Sequence, residues 1–183
     1  MNLFINACIR SNSRTLVIAK ALMNKSGKTF KERKLLDYSF PRVDEEYINN
    51  RDKLISEGRF DSPLFELARE FASADEIIVA APFWDLSFPS LLKQYFEIIN
   101  VIGITFVYSS EGIPLGLCKA KKLTYVTSAG GDYFPEEFGY GYIKALAQNF
   151  YGISDVRLIS ARGLDIDGAN EAEIIKNCID GIE

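Results

Sequence analysis

Apolar residues fall into two kinds of run along this chain. Apolar strand candidates lie at Leu3 to Ala7, around Phe30 to Leu36, and at Glu76 to Ala81, Leu123 to Thr127 and Asp155 to Ser160, and a run such as Ile77 to Ala81 is short, continuous and without alternation. Strands covered on both faces of a parallel sheet read this way. Between them, apolar positions recur three and four apart, which predicts helices from about Ser13 to Asn24, Pro63 to Ala72, Ser87 to Ile99, Phe138 to Phe150 and Ala169 to Ile179. Five strands alternating with five helices predict an α/β fold, a doubly wound parallel sheet with right-handed crossovers. The first βα turn, Asn6 to Asn12, contains no glycine. A dinucleotide fingerprint is therefore missing, and the strand order 2-1-3-4-5 is expected.

Two segments break the pattern. Residues 37–61 are mostly polar, with only a partial helical stripe at Tyr47, Ile48, Leu54 and Ile55, and are expected to run over the surface. Gly103 to Gly116 reads as a long structureless excursion, the kind of insertion that often carries function.

At 183 residues the chain is read as one domain spanning 1–183, large enough for a single core. Composition then narrows the chemistry. A net charge of -4 disfavours a nucleic-acid binder, which needs clustered Lys and Arg. Cys8, Cys118 and Cys178 form no CxxC pair, so neither a disulfide framework nor a zinc site is indicated. Leu3 to Ile5 opens directly into a strand-like run and no stretch approaches membrane-spanning length, so a cytoplasmic protein is expected. The chain has no histidine. That removes Ser/His and Cys/His nucleophiles, nearly all zinc catalysis and the usual general base, so a cofactor is expected to carry the chemistry, with Asp, Glu, Tyr or Lys still open for acid-base work.

Three loops would meet at the carboxyl edge of the sheet, where open α/β folds bind ligands. The first holds Arg10, Ser11, Asn12, Ser13 and Arg14 just ahead of a helix, where hydroxyls and backbone N–H groups can seat an anion. Ser11 or Ser13 could equally serve as a plain helix cap. The second is Pro82-Phe83-Trp84-Asp85-Leu86. Pro82 ends strand pairing, Ser87 is placed to cap the following helix, and the aromatic pair can either face a flat ligand or fill core. The third is Ser128-Ala129-Gly130-Gly131, whose consecutive glycines permit close backbone approach. Together they describe a mononucleotide site, with phosphate at the first loop and a ring between the other two.

Ala81 to Lys93, Gly103-Ile104-Thr105-Phe106-Val107-Tyr108, Gly116-Leu117 ahead of Lys121-Lys122, Thr127 to Gly131 and Gly152 to Val156 form an ordered series. In order and spacing they resemble the FMN-dependent NADH azoreductases and NAD(P)H quinone reductases of the flavodoxin-like superfamily. That family's Ala-Pro-Met-Tyr/Trp-Asn-Phe-x-x-Pro-x-x-Leu-Lys is similar to Ala81 through Lys93. The resemblance implies a flavodoxin-like fold and bound FMN. Ser11, Asn12 and Ser13 would take its phosphate, Pro82, Phe83, Trp84, Asp85 and Leu86 its ring, and Ser128, Ala129, Gly130 and Gly131 its pyrimidine side. It implies a homodimer with Tyr108 and Phe150 near the substrate. It also implies ping-pong chemistry, in which NADH or NADPH gives hydride to the flavin and a quinone or azo compound then takes the electrons. No residue of the chain is then catalytic in its own right, and no metal is needed.

The departures are specific. Phe83, Asp85 and Leu86 replace the family's Met, Asn and Phe, and Ala129 stands where an Arg is often found. An ionised Asp85 accepts hydrogen bonds but cannot donate them, so a lowered flavin potential or weaker FMN retention is expected. Two other readings stay open at this point: a flavodoxin-type carrier passing single electrons between proteins, and a fold member that has lost its flavin.

Overall fold

The computed structural model describes residues 1–182. Five strands, β1 (Asn2–Asn6), β2 (Phe30–Lys34), β3 (Ile77–Ala80), β6 (Lys122–Ser128) and β7 (Asp155–Ala161), pair in parallel in the order β2-β1-β3-β6-β7. Counting only these five, this is the expected 2-1-3-4-5. The remaining strands, β4 (Phe106–Tyr108) and β5 (Pro114–Gly116), form a separate antiparallel ribbon.

Burial explains why the strands read as unbroken apolar runs. Successive side chains of a strand point to opposite faces, and in the interior strands β1, β3 and β6 both faces are covered, whereas the edge strands β2 and β7 are only partly buried. Leu3 and Ile5, Ile77 and Val79, and Leu123 and Tyr125 face one core, with Phe71 of α3 (Glu66–Ser73) and Leu92, Tyr95, Phe96 and Ile99 of α4 (Ser90–Ile99). Phe4, Ile78, Ala80 and Val126 face the other. There they meet Ile18, Ala19 and Leu22 of α1 (Arg14–Ser26) and Ile174 and Ile175 of α6 (Glu171–Asp180).

Four local expectations change. Residues 37–61 do not simply wander: α2 (Glu45–Ser56) lies within them, capped by Asp44, whose carboxylate accepts the Tyr47 N–H at 3.1 Å. Only Tyr47 and Leu54 are buried there, so the apolar stripe is too narrow to read as a helix. The excursion at Gly103 to Gly116 is not structureless either, since it holds the β4–β5 ribbon. Its three-residue strands are too short for alternation to show.

Ser87 does not cap α4. It closes a tight turn with Trp84 through two backbone hydrogen bonds of 3.1 and 2.8 Å, and the helix starts at Ser90. The helix expected to reach Phe150 ends its α-form at Leu146 as α5 (Tyr140–Leu146). A single π-turn over Ala147–Tyr151 follows and stops at Gly152, whose φ of 72° suits glycine.

The ribbon seats on that π-turn. Phe106 lies 4.8 Å from the Phe150 ring and 5.4 Å from that of Tyr108, and the Tyr151 hydroxyl donates to Asn100 Oδ1 at 2.7 Å. Among the described residues no helix is long and apolar enough to cross a membrane.

Candidate functional site

At the carboxyl ends of β1, β3 and β6 the chain leaves the sheet through three loops that converge, tied by contacts between residues far apart in sequence. Thr15 Oγ1 and Ser128 Oγ share a hydrogen bond of 2.7 Å, joining the first turn of α1 to the end of β6. The Phe83 N–H donates to the Ser128 carbonyl at 3.0 Å, which ties the second loop to the third. The Arg10 guanidinium lies 5.9 Å from the centre of the Trp84 ring, spanning the first and second.

They enclose a cleft of about 400 Å³ lined by Asn12, Ser13, Pro82, Phe83, Trp84, Ser128 and Gly130, together with Ile9, Arg10, Arg14, Asp165 and Glu171. That volume lies within the range of small-molecule sites.

The donors are distributed at both ends. Ser13 caps α1 by accepting the Leu16 N–H at 3.3 Å, so its side-chain oxygen is partly committed to the cap reading. The side chains of Ser11 and Asn12 make no hydrogen bond within the described residues. Nor do the Arg14 and Thr15 N–H groups, the first two of α1, have an acceptor among the described residues. At the other end, the Gly130 and Gly131 N–H groups have no acceptor among the described residues, whereas the Ala129 N–H is held by the Ala161 carbonyl at 2.9 Å. Free donors at a helix N-terminus suit a phosphate. A pair of glycine N–H groups suits the carbonyl edge of a planar heterocycle.

The turn between them is strained. Asp85 and Leu86 both have positive φ, 49° and 67°. Two successive left-handed residues close the Trp84–Ser87 turn, a geometry that Asp tolerates and Leu does not. The Phe83 ring is held from behind by Phe134, 4.5 Å away, and the Arg162 guanidinium covers Phe134 at 4.2 Å.

A sequence model of the family described as Flavodoxin-like fold matches residues 2–183. The chain belongs to that family. This flavodoxin-like chain is 34% identical over 190 residues to the FMN-dependent NADH:quinone oxidoreductase of Clostridium perfringens (strain SM101 / Type A), covering 99% of this chain and 93% of the relative. It is 32% identical over 182 residues to the protein of the same description from Clostridium beijerinckii, covering 96% and 91%. Among solved structures, an azoreductase from Bacillus anthracis str. Sterne superposes with a TM-score of 0.85 at 24% identity, over 100% of this chain and 97% of that one. An FMN-dependent NADH-azoreductase from Bacillus anthracis str. Ames Ancestor, solved in complex with FMN, superposes with a TM-score of 0.81 at 23% identity, covering 100% and 96%. At these identities the two structures speak for the flavodoxin-like fold alone.

Of the residues singled out in sequence, the flavodoxin-like fold brings Asn12, Ser13, Pro82, Phe83, Trp84, Ser128 and Gly130 to the cleft wall. Ser11, Asp85, Leu86 and Gly131 are exposed beside it, and Ala129 is buried behind it. Tyr108 and Phe150 do not line it; they sit with the β4–β5 ribbon. Sequence reasoning missed a fourth wall. Asp165 follows β7 and Glu171 opens α6, and both carboxylates bind Arg14. The only cue available was a capping-type acidic residue at the start of a predicted helix. Cys8, close to the first loop, is buried, and burial pushes its thiol up to about 11, which disfavours the reactive thiolate.

Proposed function

We propose that this chain is an FMN-dependent NADH:quinone oxidoreductase that also accepts azo compounds. The observation that carries this reading is the convergence of the Ser11–Arg14, Pro82–Leu86 and Ser128–Gly131 segments on one cleft of a flavodoxin-ordered sheet. It is joined to end-to-end similarity with relatives described by that activity.

The donor set of the cleft fits FMN. Ser11, Asn12 and Ser13 with the first N–H groups of α1 hold the phosphate, where the helix dipole favours negative charge. Pro82, Phe83, Trp84, Asp85 and Leu86 border the isoalloxazine ring, and Ser128, Ala129, Gly130 and Gly131 its pyrimidine side. When bound, FMN would supply hydride and electron-transfer chemistry between a nicotinamide and an acceptor. The chain's own part is to bind, orient and exclude water. Phe83 is braced by Phe134, so that side of the cleft is supported by packing within the chain. A carboxylate at Asp85 stands at the turn beside the ring and disfavours negative charge there.

A homodimer completes this reading. Tyr108, Ile113, Leu115 and Leu117 on and around the β4–β5 ribbon are each about half exposed, an apolar surface that a second copy of the chain would cover. Tyr108 and Phe150 then serve the neighbouring subunit's cleft rather than their own, in a protein of the cytoplasm.

The test is an absorbance spectrum of the purified protein followed by anaerobic titration with NADH. A bound flavin that bleaches within seconds and recovers on adding a quinone supports the reading. A flavin that bleaches slowly, in a protein of monomer mass, points instead to an electron carrier. Protein that stays colourless after incubation with FMN overturns both.

A further inference from the structure

Arg14 is the first residue of α1 and lines the cleft at the end assigned to the phosphate. Its guanidinium is already engaged. Nη1 and Nη2 donate to the two carboxylate oxygens of Asp165 at 2.6 and 3.1 Å, and Nη1 also donates to Glu171 Oε2 at 3.1 Å. Such a two-pronged pair fixes orientation as well as charge. Asp165 is wedged on its other side. Its N–H donates to the Gly130 carbonyl at 2.9 Å, and a Cβ on Gly130 would overlap its carboxylate. One carboxylate therefore touches both the residue that opens α1 and the glycine at the ring end of the cleft.

This arrangement is at odds with anion binding unless it is neutralised. Asp165 and Glu171 place two negative charges on the wall of a cleft that is also lined by Asn12 and Ser13, at a helix N-terminus suited to a phosphate. Like charges at such range repel, and a solvent-facing position screens them only in part. Arg14 is the cation paired with both; Arg10, on the same loop, lies over Trp84 and acts on Asp165 only through space, without a hydrogen bond.

We propose that Arg14 is a positioning and charge-compensating residue for the phosphate of FMN, acting through Asp165 and Glu171 rather than as a direct phosphate ligand. The proposal rests on the FMN reading above and extends it by assigning how the chain selects FMN over riboflavin. With Arg14 in place the β7 and α6 carboxylates are tied back and half of their charge is offset. Without it they face the phosphate and reject it, while the ring, bordered by Pro82 to Leu86, is unaffected. The Asp165 carboxyl is held below the usual carboxylate range by the Arg14 guanidinium, in keeping with a standing pair.

The test uses full-length protein stripped of flavin, titrated separately with FMN and riboflavin by flavin fluorescence at fixed ionic strength, with circular dichroism to confirm folding. Arg14→Met is expected to weaken FMN binding by about tenfold, the effect of about 1.4 kcal/mol, and riboflavin binding by less than about threefold. In the triple variant Arg14→Met/Asp165→Asn/Glu171→Gln, FMN binding is expected to return to within about threefold of wild type. Asp165→Asn/Glu171→Gln with Arg14 retained is expected to bind FMN at least as tightly as wild type.

A triple variant as weak as Arg14→Met would make Arg14 a direct phosphate ligand and overturn the proposal. So would an equal loss of FMN and riboflavin, which marks a purely structural role, or weakened FMN binding in the double variant. Wild-type protein that binds neither flavin would instead remove the functional reading on which the proposal stands.

Discussion

Gly116 and Gly152 cross backbone to backbone: a Cβ on Gly116 would overlap the Gly152 nitrogen and the Tyr151 carbonyl carbon. The Cβ position of Gly152 in turn lies 3.3 Å from the Gly116 Cα. This is how the β4–β5 ribbon docks on the π-turn that ends α5, and no side chain can be inserted there without moving one of the two elements.

Gly116→Ala is therefore expected to destabilise the protein by about 1–3 kcal/mol, the cost of overpacking a closed contact. A thermal melt checks the magnitude. Hydrogen exchange at the Leu117 N–H, bonded to the Thr105 carbonyl at 2.9 Å, checks the location, because undocking exposes that group first.

Leu86 holds a left-handed backbone at φ 67° while its side chain is exposed, so little packing offsets the strain. Leu86→Val adds β-branching at the same φ and is expected to lower stability by about 1–2 kcal/mol. Leu86→Gly is expected to be neutral or stabilising. Chemical denaturation of the pair separates strain from packing, and equal losses in both variants would refute the idea.

Asp85 is exposed, with no hydrogen bond or ion pair among the described residues. About 1 kcal/mol of repulsion between its carboxylate and a reduced, electron-rich ring corresponds to about 20 mV for a two-electron couple. Asp85→Asn is expected to raise the midpoint potential by that order and to retain FMN more firmly on gel filtration. An unchanged potential and unchanged retention would place Asp85 outside the ring's field.

Glu76 lies at the amino end of β3, nearly buried. Burial pushes its carboxyl up, but hydrogen bonds from the Lys28 and Lys122 ammoniums, the latter at 3.1 Å, outweigh this and hold it below the ordinary 4.5. A depressed carboxyl stabilises the fold above its unfolded value, and that contribution is lost as pH falls through the folded value. Glu76→Gln is expected to cost about 1 kcal/mol near neutrality, since both lysines are solvent-screened. The gap to wild type closes below about pH 4.5. Denaturation midpoints of both proteins from pH 3 to 8 test the sign; a gap that widens in acid would contradict it.

The residue pattern alone determined the five parallel strands, their order, and three of the loops that build the cleft. Unbroken apolar runs such as Ile77 to Ala80 occur because both faces of an interior strand are covered, and the loops follow from where those runs stop. Asn12, Ser13, Pro82 to Trp84, Ser128 and Gly130 were legible for that reason. Elements whose identity depends on remote partners were not. Helix α2 buries only two side chains, the β4–β5 ribbon exists because Gly116 can lie against Gly152, and Ser87 turns back to Trp84 instead of capping α4. Asp165 and Glu171, more than 150 residues from Arg14, became part of the cleft only when the chain folded. Local periodicity reports which face of an element is covered. It carries no information on which distant charge will neutralise another, and that relation was decided by the tertiary structure.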